Sequence, residues 1–339
     1  MVDKVFITGA SGFIAQHIVK LLVSKGYFVI GTVRSKDKGE KLKANLNSPN
    51  FKYEIVPDII NEGAFDDALK SNADIKYILH TASPFTYDTS DPEKDLIIPA
   101  IRGTENILNS IYKYQPNAEK VVITSSDAAI YSATDEQNSS LSFDETSWNN
   151  ISYEDAVKEP IAAYYGAKAF AEKLSWKFLN EKKPNFKLVT VNPVYVFGPQ
   201  AFLNEVKPTL NVSNELINNL IKIGPNGHFD NDKGGFIDVR DVAKAHLYAL
   251  EKDELIGKRL FMTNGHFSVQ MMLDIISSNF PELKSKIPVG TPGSGPKDIT
   301  TLASVSNAKT RELLKFDFIP LDKIVVDTIA QVFEAKAKL

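Results

Sequence analysis

Val5-Phe6-Ile7-Thr8-Gly9-Ala10-Ser11-Gly12-Phe13-Ile14-Ala15-Gln16-His17 is the stretch on which the fold turns. Four β-prone residues, Val5 to Thr8, enter a turn punctuated by Gly9 and Gly12, and an amphipathic pattern follows over residues 13–25. A G-x-x-G pattern alone arises often by chance. Its position after a first strand and before a first helix is what gives it meaning. There Gly9 allows a tight turn, Gly12 lets the backbone approach a pyrophosphate, and Ala15 permits close helix–sheet packing. The helix N-terminus beside Ser11, Phe13 and Ile14 offers unpaired N–H groups and a positive dipole end to phosphates. The plainer alternative is a strand–turn–helix that holds no ligand.

Outward from this turn the pattern repeats. Apolar, β-branched runs at 27–33, 51–56, 76–82, 120–125 and 186–191 alternate with helical segments such as 62–70 and 93–114. Such alternation predicts βαβ units and a parallel sheet covered on both faces. After about residue 192 the rhythm changes. Residues 199–235 are rich in Asn, Gly and Pro around one helical pattern at 214–223, residues 281–300 read as irregular, and a last helix spans 321–338. The expectation is an α/β protein. Residues 1–192 form a Rossmann-type doubly wound parallel sheet, with a returning segment near 228–256. Residues 193–339 form mainly a smaller mixed C-terminal substrate lobe.

The end of the second strand bears on which dinucleotide the turn would hold. A site preferring NAD places Asp or Glu there for the ribose 2′-hydroxyl. This chain reads Gly31-Thr32-Val33-Arg34-Ser35-Lys36-Asp37-Lys38. A guanidinium grips a 2′-phosphate in a bidentate fork, whereas a carboxylate repels it. NADP(H) is therefore expected, with Arg34 as the main contact and Lys38 as the second; Asp37 is the dissonant charge. The alternative is a solvated basic turn. Asp58, next to Ile59 after the third strand, could accept from the adenine amino group or serve as a polar turn residue. Thr81-Ala82-Ser83 end the fourth strand with small side chains that would let a cofactor cross the sheet edge.

Tyr164 and Lys168 are four apart in a helical pattern running to about 182, so they share a face. An ammonium beside a phenol stabilises the phenolate and brings its acidity toward working pH. The pair alone is a weak signal. Thr124-Ser125-Ser126 strengthens it, because open α/β sheets bind ligands beyond their strand C-termini. A serine there can hydrogen-bond a carbonyl oxygen while Tyr164 donates a proton, and Ser126 is favoured over Ser125.

Composition narrows the class. The 39 Lys and Arg against 42 Asp and Glu leave a charge of −3, which argues against nucleic-acid binding. Without cysteine there is no disulfide, thiolate catalysis or Cys-ligated metal. The five histidines, His17, His80, His228, His246 and His266, lack metal-ligand spacing, and His80 reads as a satisfied core residue. Asp238 and Asp241 around Arg240 read as helix capping. No apolar run of about 18 residues exists to span a membrane. The opening Met1-Val2-Asp3-Lys4 leaves no room for a leader, so a cytoplasmic protein is expected.

The glycine turn, Ser126 and Tyr164/Lys168 together resemble the extended short-chain dehydrogenase/reductase superfamily. Leu79-His80-Thr81-Ala82-Ser83-Pro84-Phe85, Asn192-Pro193-Val194-Tyr195-Val196-Phe197-Gly198-Pro199, Ile237-Asp238-Val239-Arg240-Asp241-Val242-Ala243 and Ile287-Pro288-Val289-Gly290 narrow the resemblance. They point to a branch of yeast NADPH-dependent methylglyoxal and 3-methylbutanal reductases, related to plant dihydroflavonol reductases. The resemblance implies hydride transfer to an aldehyde or ketone, with Ser126, Tyr164 and Lys168 catalytic and Pro193, Val194 and Val196 lining the nicotinamide site. Phe85, Tyr131, Phe197 and Ser213 are expected in the substrate-pocket wall. Asp127 departs from the aromatic residue that branch often carries, and predicts a more polar rim.

An NADPH-dependent carbonyl reductase, a monomer or homodimer acting on a small aldehyde or ketone, is the leading expectation. An NAD-retaining nucleotide-sugar epimerase or dehydratase is a second, disfavoured by Arg34. A non-catalytic NADP-binding sensor is a third, disfavoured by the presence of both Tyr164 and Lys168.

Overall fold

Strand β1 (Lys4–Thr8) puts Val5 and Ile7 on one face of the sheet and Phe6 on the other, all fully buried. The sheet is therefore covered on both sides at its centre, as parallel sheets require. A computed structural model of the chain describes residues 2–83 and 89–338. The chain continues through α1 (Phe13–Ser24), β2 (Phe28–Val33), α2 (Lys36–Leu46), β3 (Phe51–Ile55), the short α3 (Asp66–Lys70) and β4 (Ile75–His80). A π-helical turn, Glu93–Ile97, leads into α4 (Ile98–Tyr114) and β5 (Lys120–Thr124). Two one-turn helices, α5 (Ala133–Glu136) and α6 (Tyr153–Ala156), flank β6 (Ser142–Phe143) before the long α7 (Pro160–Lys182) and β7 (Lys187–Pro193).

The second part comprises β8 (Tyr195–Phe197), α8 (Val212–Leu220), β9 (Lys233–Asp238), α9 (Val239–Glu251), β10 (Arg259–Met262), β11 (His266–Ser268) and α10 (Val269–Asn279). The one-turn α11 (Gly295–Asp298), β12 (Ser304–Val305), α12 (Ala308–Leu314) and α13 (Leu321–Ala337) complete it.

The central sheet has the order β10-β7-β5-β4-β1-β2-β3, with every pairing parallel. It begins at β1 and winds outward both ways, so β1 and β4 frame the crevice where such sheets bind ligands. Helices α1 and α9 cover one face, α4 and α7 the other. A separate core of Phe197, Phe236, Phe267, Met272 and Ile324 joins the three-stranded sheet β11-β9-β8 to α8, α10 and α13. Within the expected return near 228–256, α9 packs with α1 over the large sheet, and β10, paired with β7, follows just beyond it. Residues 233–238 belong instead to the small sheet. Among the described residues, no helix is long and apolar enough to cross a membrane.

Candidate active site

Gly9 sits at φ +66°, where a side chain is strained, and a Cβ there would lie 3.0 Å from the Ala82 Cα. The β1–α1 turn and the end of β4 thus meet at backbone distance. Thr8 secures the junction, its Oγ1 accepting from the Thr81 and Ala82 amides at 3.1 Å. Its neighbour His80 is 2.8 Å away through Nδ1, and burial followed by the nearby Lys168 charge pushes that imidazole down to about 3. Gly12 is the N-cap of α1, with no capping side chain and no acidic residue in the first turn. The Ser11 carbonyl accepts from Gln16 Nε2 at 2.9 Å, while Phe13 and Ile14 face the cavity above the strand ends.

Arg34 and Lys38 are exposed, one just past β2 and the other in the first turn of α2 beside Asp37. Neither borders the central cavity. Asp58 is used locally, its Oδ1 accepting from the Ile60 amide at 2.9 Å, while Ile59 packs against Gly103 of α4. That Asx turn fixes the carboxylate at the end of β3 and leaves it further acceptor sites, so it is compatible with either reading of Asp58. Thr81 and Ser83 line the cavity, and Ala82 packs on Gly9; Phe85 lies outside the described residues.

The cavity measures about 370 Å³ and extends from the glycine turn to Ser213. On its floor Tyr164 Oη donates to Ser126 Oγ at 3.4 Å. Lys168, one helical turn farther along α7, lines the same cavity. Burial pushes the Lys168 ammonium down to about 8, against the opposing pull of Glu172. Small residues on α7 set this geometry: Ala163, Ala167 and Ala171 let the helix lie close against Leu96, Ile97 and Ala100. A Cβ on Gly166 would come within 2.5 Å of the Ala156 Cβ. Pro193, Val194 and Val196 form one wall, and Ser213, bonded to the Val196 carbonyl at 2.5 Å, forms another.

Two expected pocket residues lie elsewhere. Tyr131 is 1% exposed, turned behind the cavity to donate to Asp127 Oδ2 at 2.8 Å and pack on Phe143 and Phe261. Phe197 is fully buried in the small-lobe core against Phe267, because alternation along β8 turns it to the face opposite Val196, which lines the cavity. Asp127 does border the cavity, and its Oδ1 accepts from Ser126 Oγ at 2.7 Å.

A buried network beneath the site escaped sequence reasoning. Glu172 pairs with Arg259 at 2.6 Å and accepts from Ser125 Oγ at 2.5 Å and from Asn192 Nδ2 at 2.6 Å. Asn192 Nδ2 also holds the Ser126 carbonyl at 3.0 Å. The spacing 164, 168, 172 puts Glu172 on the same face of α7 as Tyr164 and Lys168, a local signal that could have found it. Arg259, distant in sequence, left none.

Fold and cluster together define a short-chain dehydrogenase/reductase of the extended type. The sequence profile of the NAD dependent epimerase/dehydratase family matches residues 5–262, and the chain belongs to that family. It is 49% identical to the putative NADPH-dependent methylglyoxal reductase of Candida albicans, over 97% of this chain and 98% of that one. It is 48% identical to the NADPH-dependent methylglyoxal reductase of Saccharomyces cerevisiae, over 99% of this chain and 100% of the relative. The crystal structure of yeast methylglyoxal/isovaleraldehyde reductase complexed with NADPH matches with a TM-score of 0.95 at 48% identity, covering 99% of this chain and 100% of that chain.

Proposed function

We propose that this chain is an NADPH-dependent reductase that converts small aldehydes and ketones to alcohols. The observation that carries the reading is the single cavity joining the Gly9–Gly12 turn to Ser126, Tyr164 and Lys168. The residues present fit a dinucleotide. Gly9 leaves no room for a Cβ, and the first turn of α1 has neither a capping side chain nor an acidic one to compete with phosphate. Gly9, Ser11, Gly12, Phe13 and Ile14 hold the pyrophosphate, and Arg34 with Lys38 the 2′-phosphate. Thr81, Ala82 and Ser83 flank the middle of the cofactor, and Pro193, Val194 and Val196 the carboxamide end. When bound, the reduced nicotinamide supplies the hydride.

The protein supplies proton and position. Ser126 and Tyr164 share a hydrogen bond at the cavity floor, so a carbonyl oxygen placed there meets both hydroxyls. Tyr164 gives its phenolic proton to that oxygen, and the Lys168 ammonium stabilises the phenolate left behind. Asp127 and Ser213 shape the substrate end. The enzyme works in the cytoplasm as a monomer or homodimer. The test is NADPH oxidation followed at 340 nm with methylglyoxal, 3-methylbutanal and an aryl ketone. Turnover of at least one is expected, and turnover of none overturns the reading. Purified protein free of bound nucleotide is also expected, since an epimerase retains its cofactor.

A further inference from the structure

Ser126 has one hydroxyl proton, and with Asp127 ionised it is directed at that carboxylate instead of the cavity. Ser126 Oγ donates to Asp127 Oδ1 at 2.7 Å while accepting from the Ala128 amide at 3.2 Å and from Tyr164 Oη at 3.4 Å. Asp127 Oδ1 also accepts from the Ala128 amide at 2.9 Å, and Oδ2 from Tyr131 at 2.8 Å. Asp127 as a residue is 7% exposed, at the cavity edge. A hydroxyl bonded to a carboxylate is held more strongly than one bonded to a neutral carbonyl. An ionised Asp127 therefore withholds the Ser126 proton from an incoming substrate oxygen. A neutral Asp127 reverses the chain, since its own O–H donates to Ser126 Oγ and the Ser126 proton turns into the cavity.

We propose that Asp127 is a positioning residue for carbonyl reduction, donating in its protonated form to Ser126 Oγ and thereby aiming the Ser126 hydroxyl at the substrate. This rests on the reductase reading above. The surroundings favour the neutral acid. Burial raises the Asp127 carboxyl above its ordinary range, against the bonds from Ser126, Tyr131 and Ala128. Glu136, in the following one-turn helix, is pushed up to about 8, first by burial and then by the charge of an ionised Asp127, so burial of Asp127 itself, and not Glu136, is what favours its neutral form. The other titratable or charged groups around this turn are Tyr131 on the turn itself, Tyr164, Tyr165, Lys168 and Glu172 on α7, and Arg259 on β10. Arg259 is bound to the Ala129 carbonyl and neutralised by Glu172. The neutral acid predominates below its pKa, so activity is high there and falls as pH rises through it.

The experiment measures kcat/KM for methylglyoxal against pH in the wild type, Asp127→Asn and Asp127→Val. In parallel, infrared titration follows the protonated-carboxyl band that disappears in Asp127→Asn. The wild type should lose about ten-fold as that band titrates. Asp127→Asn, which is uncharged at every pH as the neutral acid is, should stay level there and keep only the decline near 8 set by Lys168. Asp127→Val should be low throughout with its KM for NADPH unchanged; if it does not fold, the asparagine arm and the infrared titration decide. The proposal is overturned by an asparagine variant that keeps the wild-type fall, by one inactive at every pH, or by a carboxyl ionised wherever the wild type is fully active. A wild type that reduces none of the carbonyls overturns the reductase reading and this role with it. That outcome is distinct from failure of Asp127 alone, in which the wild type turns over.

Discussion

A phenol is a weak acid at neutral pH, and what Tyr164 can do depends on its immediate surroundings. Removing its oxygen tests this without disturbing packing. Tyr164→Phe should lower kcat by about 10²–10⁴-fold, while NADPH affinity, read by fluorescence titration, stays within about two-fold of the wild type. A comparable loss of affinity would mean that the tyrosine holds the cofactor instead of protonating the substrate. Cofactor choice is argued at the same scale. Arg34→Ala should raise the KM for NADPH and narrow the gap to NADH by about ten- to a hundred-fold. An unchanged ratio of kcat/KM for the two cofactors would remove Arg34 from the account.

At the scale of elements, the β1–α1 turn is held by two constraints on one residue. Gly9 needs a positive φ, and it faces the Ala82 backbone at a distance that real Cβ atoms scarcely reach. Gly26, at φ +89° after α1, has nothing within 4 Å of the same added carbon. Gly9→Ala should therefore weaken NADPH binding by more than about ten-fold and cost about 1–2 kcal/mol in strain. Gly26→Ala should show the strain in thermal unfolding and leave binding untouched. The pair separates conformational cost from crowding of the cofactor crevice. The turn was legible in the sequence because strand, glycines and helix are contiguous. The three-residue strands β8 and β11 were not, being too short for a period-two pattern to register.

Across the whole molecule, Glu172 and Arg259 tie four elements of the large domain together beneath the cavity floor. Glu172 on α7 meets Ser125 after β5, Asn192 on β7 and Arg259 on β10, while Arg259 reaches back to the Ala129, Glu145 and Ser147 carbonyls and lies 3.8 Å from the Trp148 ring centre. Breaking one side of a buried ion pair leaves the other charge uncompensated. Glu172→Ala should cost about 3–5 kcal/mol in urea unfolding, and lower kcat because Asn192 no longer steadies the Ser126 carbonyl. Unchanged stability would mean that the carbonyls around Arg259 already satisfy its charge.

What the amino-acid order determined is what neighbours along the chain can encode. The Gly9–Gly12 turn, the alternation of strands and helices, and the four-residue step from Tyr164 to Lys168 all lie within a few turns of backbone, where periodicity and dihedral preference act. Tertiary structure alone decided how distant pieces meet. It returned β10 to the far edge of the sheet, drew Tyr131 and Phe197 into separate cores, and set Ser126 and Asp127 under Tyr164. Those outcomes depend on which side chains fill a shared volume, and residues far apart in sequence carry no local pattern that records it.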